Sequence, residues 1–286
     1  MREPNLKNIK RHLNELVRER NPFTTPDPLA EAGEYIRRQL QSANLAVREE
    51  TVPFEGRQSM NILGLKQGSD ASSGVFVLAA HYDTVAGSPG ADDNASAVSA
   101  LLETARCLEN LQFKTSLLFA GFTLEEYGLT GSRHFLEQCE NGMEDFCGMI
   151  SLEMVGFCNP DAGSQNYPPY VDSAQYPDSG DFIAIVGNEP SAALAHSIAE
   201  VMDQTVPPLS VEKLVVPGRG DLFSELTRSD HFPFWENNIP AVMVTDTAFL
   251  RNPNYHQPSD TLDTLDIGFI GNVTQGVCKF LEKYLG

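Results

Sequence analysis

The stretch VFVLAAHYDTVAGSPGADDN, residues 75–94, holds an apolar run, a Gly/Pro-rich turn and a string of short polar residues. Val75 to Ala80 is apolar or small throughout, the signature of a strand buried on both faces, as in a parallel sheet. His81 and Asp83 end that run two residues apart and so share one side of an extended backbone. Asp92, Asp93 and Asn94 then stand just before a helical pattern, with Asp93 or Asn94 as its N-cap. A strand end and a helix start thus deliver an imidazole and several carboxylates to one place. In open α/β sheets, ligands gather beyond the carboxyl ends of the strands, where this cluster falls.

Working outward, the same alternation recurs. Upstream, Leu6, Ile9, Leu13, Leu16 and Val17 have helical spacing, and NPFTTPDP at 21–28 ends that helix. Leu29, Ala32, Ile36 and Leu40 predict a second helix. Val47 to Val52 and Asn61 to Leu65 read as an antiparallel strand pair at the sheet edge. Downstream, Ala95, Val98, Leu101, Leu102, Ala105 and Leu108 mark a helix, and Leu117 to Phe122 a buried strand ending at Glu125 and Glu126. A helix over about 132–138 leads to a strand from Cys147 to Met154 that carries Glu153. Residues 158–180, rich in Pro, Tyr, Asp and Gly, read as a long surface loop of the kind that borders a site. Phe182 to Val186, a helix over 192–202, Ala241 to Val244 and a closing helix over 267–284 complete the pattern. It predicts one α/β/α sandwich around a mixed, mostly parallel sheet, a single domain over residues 1–286.

Composition excludes some partners. The chain has 20 Lys plus Arg against 39 Asp plus Glu, a formal charge of −19. That field repels nucleic acid and anionic membranes. No segment approaches the roughly 20 apolar residues of a membrane span. The first twenty residues carry charges throughout and no apolar core of a signal peptide. The five cysteines have no C-x-x-C spacing, which predicts reduced thiols and a cytoplasmic location.

Five candidate ligands stand near strand ends or in the loops after them: His81, Asp92, Glu126, Glu153 and His256. Two imidazoles and three carboxylates suit two divalent metals without any thiolate. With one carboxylate bridging, a metal pair can share a water, lower its pKa and polarise a substrate carbonyl. Glu125, beside Glu126, is available as the base. Asp83 can accept the second ring N–H of His81 and fix its tautomer. Each feature has a bland reading: a strand-end histidine with satisfied polar bonds, an Asp-Asp-Asn helix cap, a solvated Glu-Glu pair. Their coincidence in α/β order favours a metal site.

At these residues the chain resembles the co-catalytic zinc aminopeptidases and their relatives. The matching strings are AHYDT at 80–84, PGADDNASAVSALLETAR at 89–106, FTLEEYGLTGS at 122–132, SLEMVG at 151–156, SDHFPFWENNIPAV at 229–242 and YHQPSDT at 255–261. The resemblance implies the phosphorylase/hydrolase-like exopeptidase fold, two Zn2+ ions (Mn2+ or Co2+ also accepted) and a peptide or small amide substrate. By position, His81 and Glu153 would bind the first metal, Asp92 would bridge, and Glu126 and His256 would bind the second. Glu125 would be the base, Asp83 would orient His81, and Tyr255 would donate to the oxyanion. The Asp92–Asp93 peptide would be cis. Glu153 departs from the pattern, because most members have Asp there; the change bears on substrate class more than on metal binding.

The resemblance predicts an aminopeptidase. The same site admits a carboxypeptidase or other amide hydrolase. A single-zinc acyltransferase of the glutaminyl cyclase kind shares the Glu-Glu pair, but the intact His81 and Asp83 favour two metals. A metal-binding interaction domain would have no use for Glu125. Ser229-Asp230-His231 cannot form a triad from adjacent residues and is expected to support the site.

Overall fold

A computed structural model describes residues 1–140 and 145–286. Eight strands form one sheet: β1 Ala46–Phe54, β2 Arg57–Lys66, β3 Val75–His81, β4 Ser116–Phe122, β5 Phe146–Glu153, β6 Phe182–Asn188, β7 Ser210–Val216 and β8 Ala241–Thr245. Their order is β1-β2-β4-β3-β5-β8-β6-β7. The central strands β4, β3, β5 and β8 run parallel, as does the β6–β7 pair. β1–β2, β2–β4 and β6–β8 are antiparallel. The edge hairpin predicted at 47–65 is thus present, and the sheet is mixed around a parallel centre.

Alternation along the central strands explains the layers. Phe76, Leu78 and Ala80 of β3 enter one core, with Phe119 of β4, Ile150 and Leu152 of β5 and Val242 and Val244 of β8. That face is covered by α1 Leu6–Leu16, α2 Pro26–Ser42, α3 Ala97–Leu108, α5 Ala192–Thr205 and α7 Ile267–Leu285. Val77 and Ala79 point the other way, into a smaller core with Phe135 of α4 Thr130–Glu140 and Phe234 and Trp235 of α6 His231–Glu236. Strands buried on both faces must be apolar at every position, and helices on both faces make the three layers. No described helix is long and apolar enough to cross a membrane.

The structure differs from the sequence reading at the start of α3. Asp93 and Asn94 do not cap it: their backbone is non-helical, and the regular helix begins only at Ala97. The Asn94 amide instead donates to the Leu152 carbonyl (3.0 Å), and its oxygen accepts from the Met154 N–H (2.9 Å). This irregular turn is thereby tied to the end of β5, where Glu153 sits.

Candidate metal centre

Adjacent parallel strands end side by side, so their last residues and following turns share one edge of the sheet. His81 is the last residue of β3 and Glu153 the last of β5, its neighbour. Glu125 and Glu126 follow β4, the neighbour on the other side, through Leu124 in the left-handed region (φ 58°). Asp93 enters from the turn before α3. His256, also left-handed (φ 58°), comes from the loop after β8.

Two donor groups result: His81, Glu125 and Glu153, and Asp93, Glu126 and His256, each with its ligand atoms within 4.8 Å of one another. Asp93 joins them. Its Oδ1 lies 3.2 Å from His81 Nε2 and its Oδ2 lies 3.1 Å from His256 Nε2. Glu126 Oε2 is 3.1 Å from His256 Nε2, and Glu153 Oε1 is 3.4 Å from His81 Nε2. Glu125 stands further off, at 4.0 Å from His81. Glu153 keeps its place through Ser229, whose hydroxyl donates to Oε2 at 2.6 Å. The longer side chain at this position therefore still reaches the cluster.

Charge is crowded here. Burial disfavours ionised Asp93, but the two histidines outweigh it and hold its carboxyl well below the usual range. Burial likewise opposes a charged His256, yet Asp93 and Glu126 push it up to about 10. Burial and the neighbouring Asp93 raise Glu126 to about 7. Burial also raises Glu125 well above its ordinary value; His81 opposes this, and Glu153, Glu126 and Asp230 add to it. Four carboxylates thus face two imidazoles, and the raised carboxyls hold protons that bound cations would displace.

The donor atoms themselves fit such cations. His256 Nε2 and Glu126 Oε1 are buried without a hydrogen-bond partner among the described residues, although carboxylate oxygens stand 3.1 Å from that nitrogen. Nitrogen and oxygen atoms that converge in this way could hold a shared ion. The set contains no thiolate and suits zinc-like or harder divalent metals.

Asp83 behaves differently from the expectation. It lies 3.6 Å from His81 Nδ1, too far for a hydrogen bond. Its oxygens accept instead from the backbone N–H groups of Glu125 (3.0 Å) and Glu126 (3.3 Å). It fixes the Glu-Glu pair rather than the histidine tautomer. Tyr255 stacks on the His256 ring at 3.8 Å and lines the same cavity as Glu125.

Asp92 needs correction. The residue reaching both histidines is Asp93, one position later. Asp92 faces away: its carboxylate accepts from the Gly156 N–H (2.9 Å) and from the Asn252 amide (2.8 Å). A Cβ at Gly156 would lie 2.9 Å from Asp92 Oδ1, so this approach needs glycine. The cis peptide is likewise displaced, to Asp93–Asn94. Asp260 holds the turn from outside, accepting from the N–H groups of Asp92 (2.9 Å) and Asp93 (3.1 Å). The sequence reading assigns Asp260 no role, although it lies within a matching string, whereas Ser229 supports the site as expected, through its bond to Glu153.

The model of peptidase family M28 matches residues 61–281. The chain belongs to peptidase family M28. It is 34% identical over 289 residues to an uncharacterised Escherichia coli protein, YfbL, an alignment covering 96% of this chain and 86% of that one. A leucine aminopeptidase 2 of Arthroderma otae is 24% identical, over 81% of this chain but 46% of its own length. Among solved structures, the LapA aminopeptidase of Legionella pneumophila superposes with a TM-score of 0.77 at 20% identity, covering 99% of this chain and 72% of that one. This M28 chain therefore shares the aminopeptidase fold and spans about half of the fungal relative.

Proposed function

We propose that this M28 peptidase is an aminopeptidase that removes the N-terminal residue of a peptide at a pair of divalent cations, with zinc the expected metal. The carrying observation is the two-sided carboxylate of Asp93, which reaches both histidines. His81, Asp93 and Glu153 would hold one cation, and Asp93, Glu126 and His256 the other. Bound there, a metal pair acidifies a water and polarises the scissile carbonyl. The fungal relative's activity supports the same end of the substrate.

The chain's own groups divide the remaining work. Glu125 stands back from His81 and has a raised proton affinity, which suits a base that takes a proton from the attacking water and passes it to the leaving amine. Asp83 holds the backbone of Glu125 and Glu126 so that one carboxylate ligates while its neighbour shuttles protons. Burial raises the Tyr255 phenol, with Asp93 and Glu126 adding to it, so it keeps its proton at neutral pH and can donate to the oxyanion. Beside Glu153 and Tyr255 opens a largely apolar pocket lined by Tyr167, Phe182, Leu226 and Met243, which would take the side chain of the N-terminal residue.

The test is metal content per chain together with hydrolysis of a panel of amino acid p-nitroanilides before and after chelation. Two metals and chelator-sensitive release are expected; a metal-free or chelator-indifferent enzyme would overturn the proposal. Glu125→Gln should lower kcat about 10²–10⁴-fold with metal content unchanged. Full activity in that variant would remove Glu125 from its role.

A further inference from the structure

The metal-centre cavity is lined by Asp93, Glu125, Glu126 and Glu153, and by two guanidinium side chains, Arg133 and Arg228. The two arginines are not equivalent. Arg133 is engaged, with Nη1 2.5 Å from Glu236 Oε2. Arg228 is exposed and lies over the Phe249 ring at 5.3 Å. Among the described residues it makes no ion pair within 4.0 Å and no hydrogen bond. The nearby Glu225 carboxylate feels the charge of Arg228 but accepts its hydrogen bonds from the Tyr170 and Ser224 hydroxyls. The carboxylates of the cavity are directed at the histidines, so the N–H edge of Arg228 stays available. A ring beneath a guanidinium fixes its plane while the donor fork stays free for a planar anion.

Arg228 also lines the adjoining apolar pocket, as do Glu153 and Tyr255, so these three residues border the passage between pocket and metal centre. Resting on the aminopeptidase reading, we infer that Arg228 is a specificity residue that binds the free C-terminal carboxylate of a dipeptide, and that dipeptides are the preferred substrate class. With the N-terminal side chain in the apolar pocket and the scissile carbonyl among the metal ligands, a dipeptide's carboxylate follows one residue later. That is at most about 3.6 Å of extended chain. Each added residue carries the carboxylate outward by the same length. Charge orders such a substrate: the ammonium is drawn to the acidic groups and repelled by Arg228, while the carboxylate experiences the reverse.

The experiment compares Leu-Phe, its C-terminal amide and N-acetyl-Leu-Phe on the metal-loaded wild type, Arg228→Gln and Arg228→Lys. The free acid should exceed the amide in kcat/KM by about tenfold or more in the wild type. That ratio should fall to near one in Arg228→Gln and be intermediate in Arg228→Lys, which keeps the charge and loses the fork. A wild-type ratio near one, or a ratio that survives Arg228→Gln, would overturn the inference while hydrolysis of the amide left the aminopeptidase reading standing. Preferential cleavage of the N-acetyl dipeptide would overturn both.

Discussion

The two halves of the metal centre are built differently. The half around His81 and Glu153 hangs on strand ends set by the parallel ladders of β3 with β4 and of β5 with β8, where His81 pairs with Phe122 and Glu153 with Thr245, and His81 is only 1% exposed. The half around His256 hangs on loops, and the His256 side chain is 31% exposed. Ladders place the first half. A few polar contacts place the second, among them Asp260 beneath the Asp93 turn and the buried Arg20, which donates to the Gly90 carbonyl at 3.0 Å. Precision in the dry half is inherited from the fold, whereas the wetter half depends on individual side chains. Asp93 belongs to both.

Removal of the shared carboxylate should have the largest effect, because it belongs to both halves. Asp93→Asn puts an amide nitrogen where one histidine's partner stood, so both halves should fail together. Fewer than one metal per chain and loss of peptidase activity are expected, read by metal analysis and p-nitroanilide hydrolysis. Asp92→Asn is the paired control. Its carboxylate serves Gly156 and Asn252, so two metals per chain should remain. If Asp92→Asn empties the site and Asp93→Asn does not, the assignment of the bridge is reversed.

That pair of residues also shows where sequence reading stops. The buried strands were legible because uninterrupted apolar runs such as Val75 to Ala80 have few other uses, and His81 and Glu153 came with them as strand-terminal polar residues. Adjacent identical residues offer no such contrast. Which of Asp92 and Asp93 faces the histidines is decided by Gly156 and Asn252, 64 and 160 residues away. The same non-local bonding removes Asn94 from a capping role. β7, SVEKLVV, was not legible because it is an edge strand with mostly half-exposed positions. α6 is six residues long and contains a proline, too short for a periodic signal.

A milder test sharpens the contrast by loosening only the strand-end half. Ser229→Ala removes the hydroxyl that donates to Glu153 Oε2 at 2.6 Å and leaves that buried carboxylate to drift. Losing such a supporting hydrogen bond typically lowers metal affinity about 10–100-fold. The expected titration is therefore biphasic, with one site weakened by that factor and the site at His256 near its wild-type affinity. Equal weakening of both sites would mean that the halves are coupled more tightly than their separate origins imply.

The smallest effect tests how dry the support of that half is. His231, two residues after Ser229, is buried with Trp235 edge-on at 4.5 Å. Its Nε2–H donates to the Leu226 carbonyl at 2.8 Å, and Nδ1 has no partner among the described residues. Burial lowers its pKa to about 4, with the Leu226 carbonyl opposing. The folded value lies below the unfolded value of about 6.5. The stability it contributes is therefore present above pH 6.5 and is lost as pH falls toward 4. Comparing wild type with His231→Gln cancels other titrations, and the wild type's advantage should shrink by about 2 kcal/mol between pH 7 and pH 5. Urea unfolding of both proteins at the two pH values measures it. A constant difference would mean that His231 takes up its proton without cost, and hence that water reaches the segment holding Glu153.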